Sequence, residues 1–232
     1  MLQQGPILNA QPAVSSSAPN PYARFWDRVA RKYARDPIAD MAGYERTVAR
    51  VQELLGRADQ VLEIGCGTGT TALRLAPGVA RLAATDVSPE MIAIAREKAA
   101  TQGCSNVEFN VATAAQTLGA EGSYDAVLAF NVLHLLEDRT QVLAQIRRHL
   151  KPGGLLISKT ACLTEMNPLV RLAVPLMRLI GKAPYVSFFS AAELEAEIAA
   201  ANFEIVERAR HGSGRKDPRL FLVARKPGEQ KS

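Results

Sequence analysis

Val61-Leu62-Glu63-Ile64-Gly65-Cys66-Gly67-Thr68-Gly69-Thr70 constrains what this chain folds into more than any other stretch. An apolar run ending in an acid passes directly into three glycines at alternate positions. The run reads as a buried parallel strand, and Thr70–Ala76 as the start of the helix that follows. Glycines at such a turn let the backbone take positive φ and approach a ligand with no Cβ in the way. A dinucleotide site needs G-x-G-x-x-G, whose third glycine packs the helix that receives a pyrophosphate. Here the spacing is G-x-G-x-G, and Thr70 occupies the place of that third glycine. Glu63 puts a negative charge beside the turn, which suits an ammonium or sulfonium better than a pyrophosphate.

Downstream, strand and helix signals alternate. The pattern predicts strands at 60–64, 80–85, 106–111, 124–130, 154–160, 204–210 and 219–224, and helices at 70–76, 89–102, 139–150 and 191–201. Two further helices are expected before the first strand, at 22–34 and 39–55. Ser88-Pro89 is a helix start, with Pro at the first helical position and Glu90 in the first turn. Lys151-Pro152-Gly153-Gly154 is a helix stop and a turn into the next strand. Such alternation implies an α/β fold with a doubly wound, mostly parallel seven-stranded sheet. Residues 1–21 carry no charge and are rich in Gln, Pro, Ser and Ala, so a disordered leader is expected there, followed by one domain over 22–232. A length of 232 residues with 47% hydrophobic content suffices for one full core.

Asp86 stands at the carboxyl end of the second expected strand, 21 positions after Gly65. An acid there accepts hydrogen bonds from both hydroxyls of a ribose, at the sheet edge where open α/β sheets bind ligands. Capping of the helix at Pro89 explains the same residue in purely structural terms.

With Glu63, the glycine turn and Asp86 in place, the chain resembles the class I S-adenosylmethionine (SAM) dependent methyltransferases. The likeness extends over about residues 24–225. Phe25-Trp26-Asp27-Arg28-Val29-Ala30-Arg31-Lys32-Tyr33 is similar to the N-terminal helix of the enzymes of quinone and lipid biosynthesis, which folds over the cofactor. Tyr124-Asp125-Ala126-Val127-Leu128-Ala129-Phe130 resembles the fourth-strand motif, and Leu150-Lys151-Pro152-Gly153-Gly154 the turn before the fifth strand. The resemblance implies SAM as cofactor and a Rossmann-like sheet. It implies that Glu63 and the backbone at Gly65, Gly67 and Gly69 hold the methionine part, and that Asp86 holds the ribose. Val87 and Met91 would flank the adenine, with Thr113, Ala114, Asn131 and Tyr33 completing the cofactor site. Where the family often has Gly-Asp-Ala, this chain has Ala112-Thr113-Ala114, so Thr113 offers only a hydroxyl to the adenine.

Methyl transfer from a sulfonium needs alignment and exclusion of water more than acid–base chemistry. His134 is the one histidine at a strand's carboxyl end and the candidate catalytic residue, with plain packing as its alternative. His149 and His211 read as surface residues. Asn131-Val132-Leu133-His134 lacks the Asn/Asp-Pro-Pro-aromatic pattern of enzymes that methylate exocyclic base amines. No metal site is expected from three scattered histidines.

The segment 161–189 is too long for a simple connection. Leu169, Leu172, Ala173, Leu176, Leu179 and Ile180 fall at helical spacing, Arg171, Arg178 and Lys182 share another face, and Pro175 predicts a kink. Three readings stand: a helix packed on the core, a lid over an apolar acceptor pocket, or a basic amphipathic helix making peripheral membrane contact through 166–182. Tyr185, Phe188 and Phe189 fit either a pocket lining or the core.

The net charge of +5 is spread over many helices and implies a solvated surface, with no specific nucleic acid as partner. Cys66, Cys104 and Cys162 are odd in number and far apart, which fits a reducing cytoplasm. The function expected is methyl transfer to a small or medium-sized, partly apolar acceptor, with oxygen favoured over nitrogen or sulfur. The alternatives are an NAD(P)-dependent oxidoreductase on the same sheet and a non-catalytic SAM-binding module.

Overall fold

The computed structural model describes residues 21–116, 119–166, 168–214 and 217–228. The expected leader therefore falls, but for Pro21, outside the described residues. Seven strands form one sheet in the order β3-β2-β1-β4-β5-β7-β6. They are β1 (Gln60–Ile64), β2 (Arg81–Asp86), β3 (Val107–Val111), β4 (Tyr124–Phe130), β5 (Leu150–Ala161), β6 (Glu204–Ala209) and β7 (Arg219–Arg225). The first five run parallel, and β7 pairs antiparallel with both β5 and β6.

Helices cover both faces, which is why the central strands read as continuous apolar runs. On one face α5 (Arg139–His149) and α7 (Ala191–Ala200) bury Val142, Leu143, Ile146, Leu194 and Ile198 against β1, β4 and β5. On the other, α2 (Met41–Leu54), α3 (Thr70–Leu75) and α4 (Pro89–Thr101) contribute Val48, Val51, Leu73, Ile92 and Ala95. Phe189 belongs to this interior, fully buried, and each such side chain contributes about 1.5–3 kcal/mol.

Local chemistry sets the helix starts. Ser88 Oγ accepts the Met91 N–H at 3.1 Å to cap α4, and Asp138 accepts from Gln141 to cap α5. Ser190 and Glu193 form a reciprocal capping box on α7. The fifth strand differs from expectation, beginning at Leu150 rather than at Gly154. Leu150 pairs with Tyr124, the register shifts, and Leu155 then pairs with Ala126. The segment between them, with Gly153 at φ 81°, is a bulge within the strand, held by Lys151 Nζ on Asp125 at 2.7 Å. The anticipated turn is therefore an interruption of β5, because pairing resumes on its far side.

Helix α1 (Pro21–Arg35) lies across α4, with Ala30 packed on Met91 and Ile94 and flanked by Trp26 and Ala34. Helix α6 (Pro168–Leu179) occupies the long connection between β5 and α7, with Pro175 inside it. Strand β1 sits between β2 and β4, so chain connections leave it in opposite directions. A crevice opens above the carboxyl ends of these three strands.

Candidate active site

The crevice is a cavity of ≈ 880 Å³, bounded by the ends of β1, β2 and β4, by α1, and by the segment after α6. At its floor the chain turns through Gly65, Gly67 and Gly69 at φ 67°, 54° and 72°. The three glycines serve different ends. A Cβ on Gly65 would lie 2.6 Å from Val132 Cγ2, and one on Gly69 would lie 2.7 Å from Phe109 Cζ. Those two positions are closed by packing. A Cβ on Gly67 would have nothing nearer than Tyr33 Cε1 at 3.9 Å, so this glycine leaves space on the cavity side.

Two carboxylates face this floor. Glu63, the penultimate residue of β1, is buried, and its Oε2 has no hydrogen-bond partner among the described residues. Burial, helped by the neighbouring Asp86, pushes its carboxyl up to about 8. Asp86 ends β2. Its Oδ2 accepts the Gly67 N–H at 2.9 Å and its Oδ1 accepts the Ser88 N–H at 2.9 Å. Burial raises the Asp86 carboxyl as well, against the lowering effect of these N–H donors. Asp86 thus fixes the glycine turn and keeps lone pairs toward the cavity.

The structure brings Glu63, Gly65, Gly67, Asp86, Val87, Met91, Thr113, Ala114, Asn131 and Tyr33 to the cavity wall, all expected there from the sequence. Gly69 is the exception, since it packs behind the turn. Asn131 holds a positive φ of 52°, with its N–H on the Lys159 carbonyl at 2.7 Å. The Thr113 N–H is held at 2.5 Å by Gln116 Oε1.

His134 does not reach this wall. It sits in a short turn with Nδ1 3.0 Å from Thr160 Oγ1, and burial lowers its pKa to about 4. A neutral imidazole turned onto a threonine does not meet an acceptor in the cavity, so this geometry lends no support to a catalytic role. The other two histidines differ from expectation. His149 is buried, 3.3 Å from the Ala120 carbonyl. His211 stacks on Phe221 with ring centroids 4.5 Å apart and approaches Thr47 Oγ1 at 3.1 Å.

Several contributors escaped the sequence. Asp27 Oδ1 accepts from Ser88 Oγ at 2.5 Å and from the Glu90 N–H at 3.3 Å, anchoring α1 over the cavity at the start of α4. The far end of the cavity is lined by Tyr22, Arg28, Leu135, Glu137, Arg178 and Tyr185. Arg28 donates to the Gly181 carbonyl, and Arg178 lies 4.9 Å above the Tyr185 ring. Tyr185 was expected from the sequence as a pocket lining or a core residue, whereas Tyr22, Arg28, Leu135, Glu137 and Arg178 join it from segments up to some 150 positions apart, which only the fold shows together. Among the described residues no group of three or more His, Cys, Asp and Glu is placed to hold a metal ion.

A protein-family model described as a methyltransferase domain matches residues 61–154. A ubiquinone biosynthesis O-methyltransferase of Xanthomonas axonopodis pv. citri is 32% identical over 193 residues, covering 78% of this chain and 76% of that protein. Methyltransferase GfsG of Streptomyces halstedii is 31% identical over 139 residues, covering 57% of this chain. The match spans only half (50%) of GfsG's own length. Among solved structures, a magnesium protoporphyrin IX methyltransferase from Synechocystis with bound SAH superimposes with a TM-score of 0.67 at 22% identity. That match covers 88% of this chain and 95% of the other, and shows the shared fold.

Proposed function

We propose, for a chain that belongs to the class I S-adenosylmethionine-dependent methyltransferase family, that it methylates a small or medium-sized, partly apolar acceptor, with oxygen the favoured atom. The observation that carries this reading is Glu63. A buried carboxyl whose Oε2 has no partner among the described residues, beside a second acid, disfavours a pyrophosphate and ionises most readily against a cationic group. Thr70 in place of a third glycine argues the same way against a dinucleotide.

The residues present fit SAM. Glu63 and the open backbone at Gly67 would take the methionine ammonium and its neighbourhood, and Asp86 the ribose hydroxyls. Val87 and Met91 would flank the adenine, with Thr113, Ala114 and Asn131 at the wall. Bound there, SAM supplies an electrophilic methyl carbon. The chain's own part is to orient and to exclude water. Helix α1 closes the cofactor end through Tyr33 and the Asp27–Ser88 contact. At the other end Leu135, Leu136 and Tyr185 stand beside Arg28, Glu137 and Arg178, a mixed apolar and charged surface that suits a partly apolar acceptor. The ubiquinone O-methyltransferase relative supports oxygen as acceptor atom. The segment 161–189, which supplies Tyr185, acts as acceptor-binding insertion of a single domain over 22–232. We place the protein in the cytoplasm, in keeping with three free thiols. Among the described residues no helix is long and apolar enough to cross a membrane.

The reading is tested by titrating the full chain with SAM, its demethylated product and NAD. SAM and the product are expected to saturate one site that NAD does not occupy. Tighter binding of NAD than of SAM overturns it.

A further inference from the structure

Large apolar side chains left in water concentrate on one element. In α6 and the residue after it, Leu176 is 63% exposed, Leu179 84% and Ile180 61%, and Leu169 and Met177 are exposed too. Of the face that a core helix or a closed lid would turn inward, Leu169, Ala173, Leu176, Leu179 and Ile180 are exposed instead. The same stretch carries Arg171, Arg178 and Lys182, and from Met166 to Ser187 the sequence holds no Asp or Glu. Its C-terminal end meets the cavity, because Arg178, Gly181 and Tyr185 belong to the wall.

A partner for this surface must cover leucines and answer three cations at once. A second copy docked face to face would bring the same cations against one another, which is unfavourable in a symmetric interface. A neutral apolar surface offers these cations no counter-charge beyond the reach of Arg171 to Glu193. An anionic lipid surface satisfies both, since acyl chains take the apolar side chains and headgroup phosphates take the arginines and lysine. We propose that α6 docks the protein on an anionic bilayer surface, with Leu176, Leu179 and Ile180 at headgroup depth. The far end of the cavity then opens toward the interface, and a partly apolar acceptor enters from the lipid. That last consequence rests on the function proposed above, whereas the docking is measured without any acceptor.

The test is cosedimentation of the full chain with vesicles of phosphatidylcholine alone and of phosphatidylcholine mixed with phosphatidylglycerol. Binding is expected to the mixed vesicles only, and to weaken as salt is raised. The pair Arg171→Gln with Lys182→Gln should lower partitioning about 30-fold, and Leu179→Gln with Ile180→Gln should lower it at least as far. All four side chains lie outside the cavity wall, so SAM affinity and melting temperature should stay at the native values. Equal sedimentation with both kinds of vesicle, or variants that sediment like the native chain, overturns the proposal. So does self-association of the native chain without lipid that the Leu179→Gln, Ile180→Gln pair abolishes, since the occupant is then a second copy. Failure of SAM binding in the native chain would count against the proposed function and leave the docking result intact.

Discussion

Replacing Glu63 by Gln separates the stability of the empty site from its affinity for a cation. In the folded chain burial, helped by Asp86, pushes the carboxyl up to about 8 from its ordinary value near 4.5. Between those values the native state holds a proton that the unfolded state has released, so stability from this group falls as pH rises. The loss is complete only above the folded value, and amounts to about 4 kcal/mol by pH 8, roughly 2 kcal/mol of it between pH 6 and pH 8. For a chain of this size, about 2–4 °C of melting temperature corresponds to each kcal/mol, so native Tm should fall by roughly 4–8 °C over that interval from this cause. Gln does not titrate, and Glu63→Gln should lack this part of the fall. Its affinity for SAM at neutral pH should drop roughly 10- to 100-fold, the loss of a charge-assisted hydrogen bond. The native chain should also release close to one proton on binding SAM near pH 7, as the cation draws Glu63 into its ionised form. Calorimetry in buffers of different ionisation enthalpy reads that proton. An unchanged pH slope of Tm together with unchanged SAM affinity in Glu63→Gln would refute the reasoning.

The glycine turn and its cover give two further tests. Gly65→Ala meets Val132 at 2.6 Å, whereas Gly67→Ala meets no protein atom within 3.5 Å and carries only the left-handed backbone cost of about 1–2 kcal/mol. Thermal melts should therefore show the larger loss in Gly65→Ala, while calorimetry should show Gly67→Ala losing SAM affinity beyond what its stability change explains. Asp27→Ala removes the link between α1 and Ser88, and should weaken SAM binding several-fold with about 1 kcal/mol or less of stability lost.

Much of the architecture was legible because the signals that make it are local. The apolar runs at Val61–Ile64 and Ala126–Phe130 and the Ser88-Pro89 start placed their elements within a residue or two. The placement of Glu63, Gly67 and Asp86 on the cavity wall was legible for the same reason, since they sit at strand ends that the pattern defines. The start of β5 was not, because a bulge and a turn share the residues Lys151–Gly154 and only strand pairing distinguishes them. His149 and His211 were misread because their sequence neighbours are polar while their spatial neighbours, Ala120, Thr47 and Phe221, come from elsewhere in the chain. Periodicity showed that α6 has an apolar face. It carries no information on whether that face is covered, and in the structure it is exposed.

The most direct measurement is of the methyl group itself. The full chain is incubated with SAM labelled at its methyl carbon and a small-molecule extract of the native source, and the products are followed by mass spectrometry. The account predicts a labelled, partly apolar product with the label on oxygen, formed in step with demethylated SAM. Saturable SAM binding with no consumption in the presence of that extract would contradict it and make the chain a binding module.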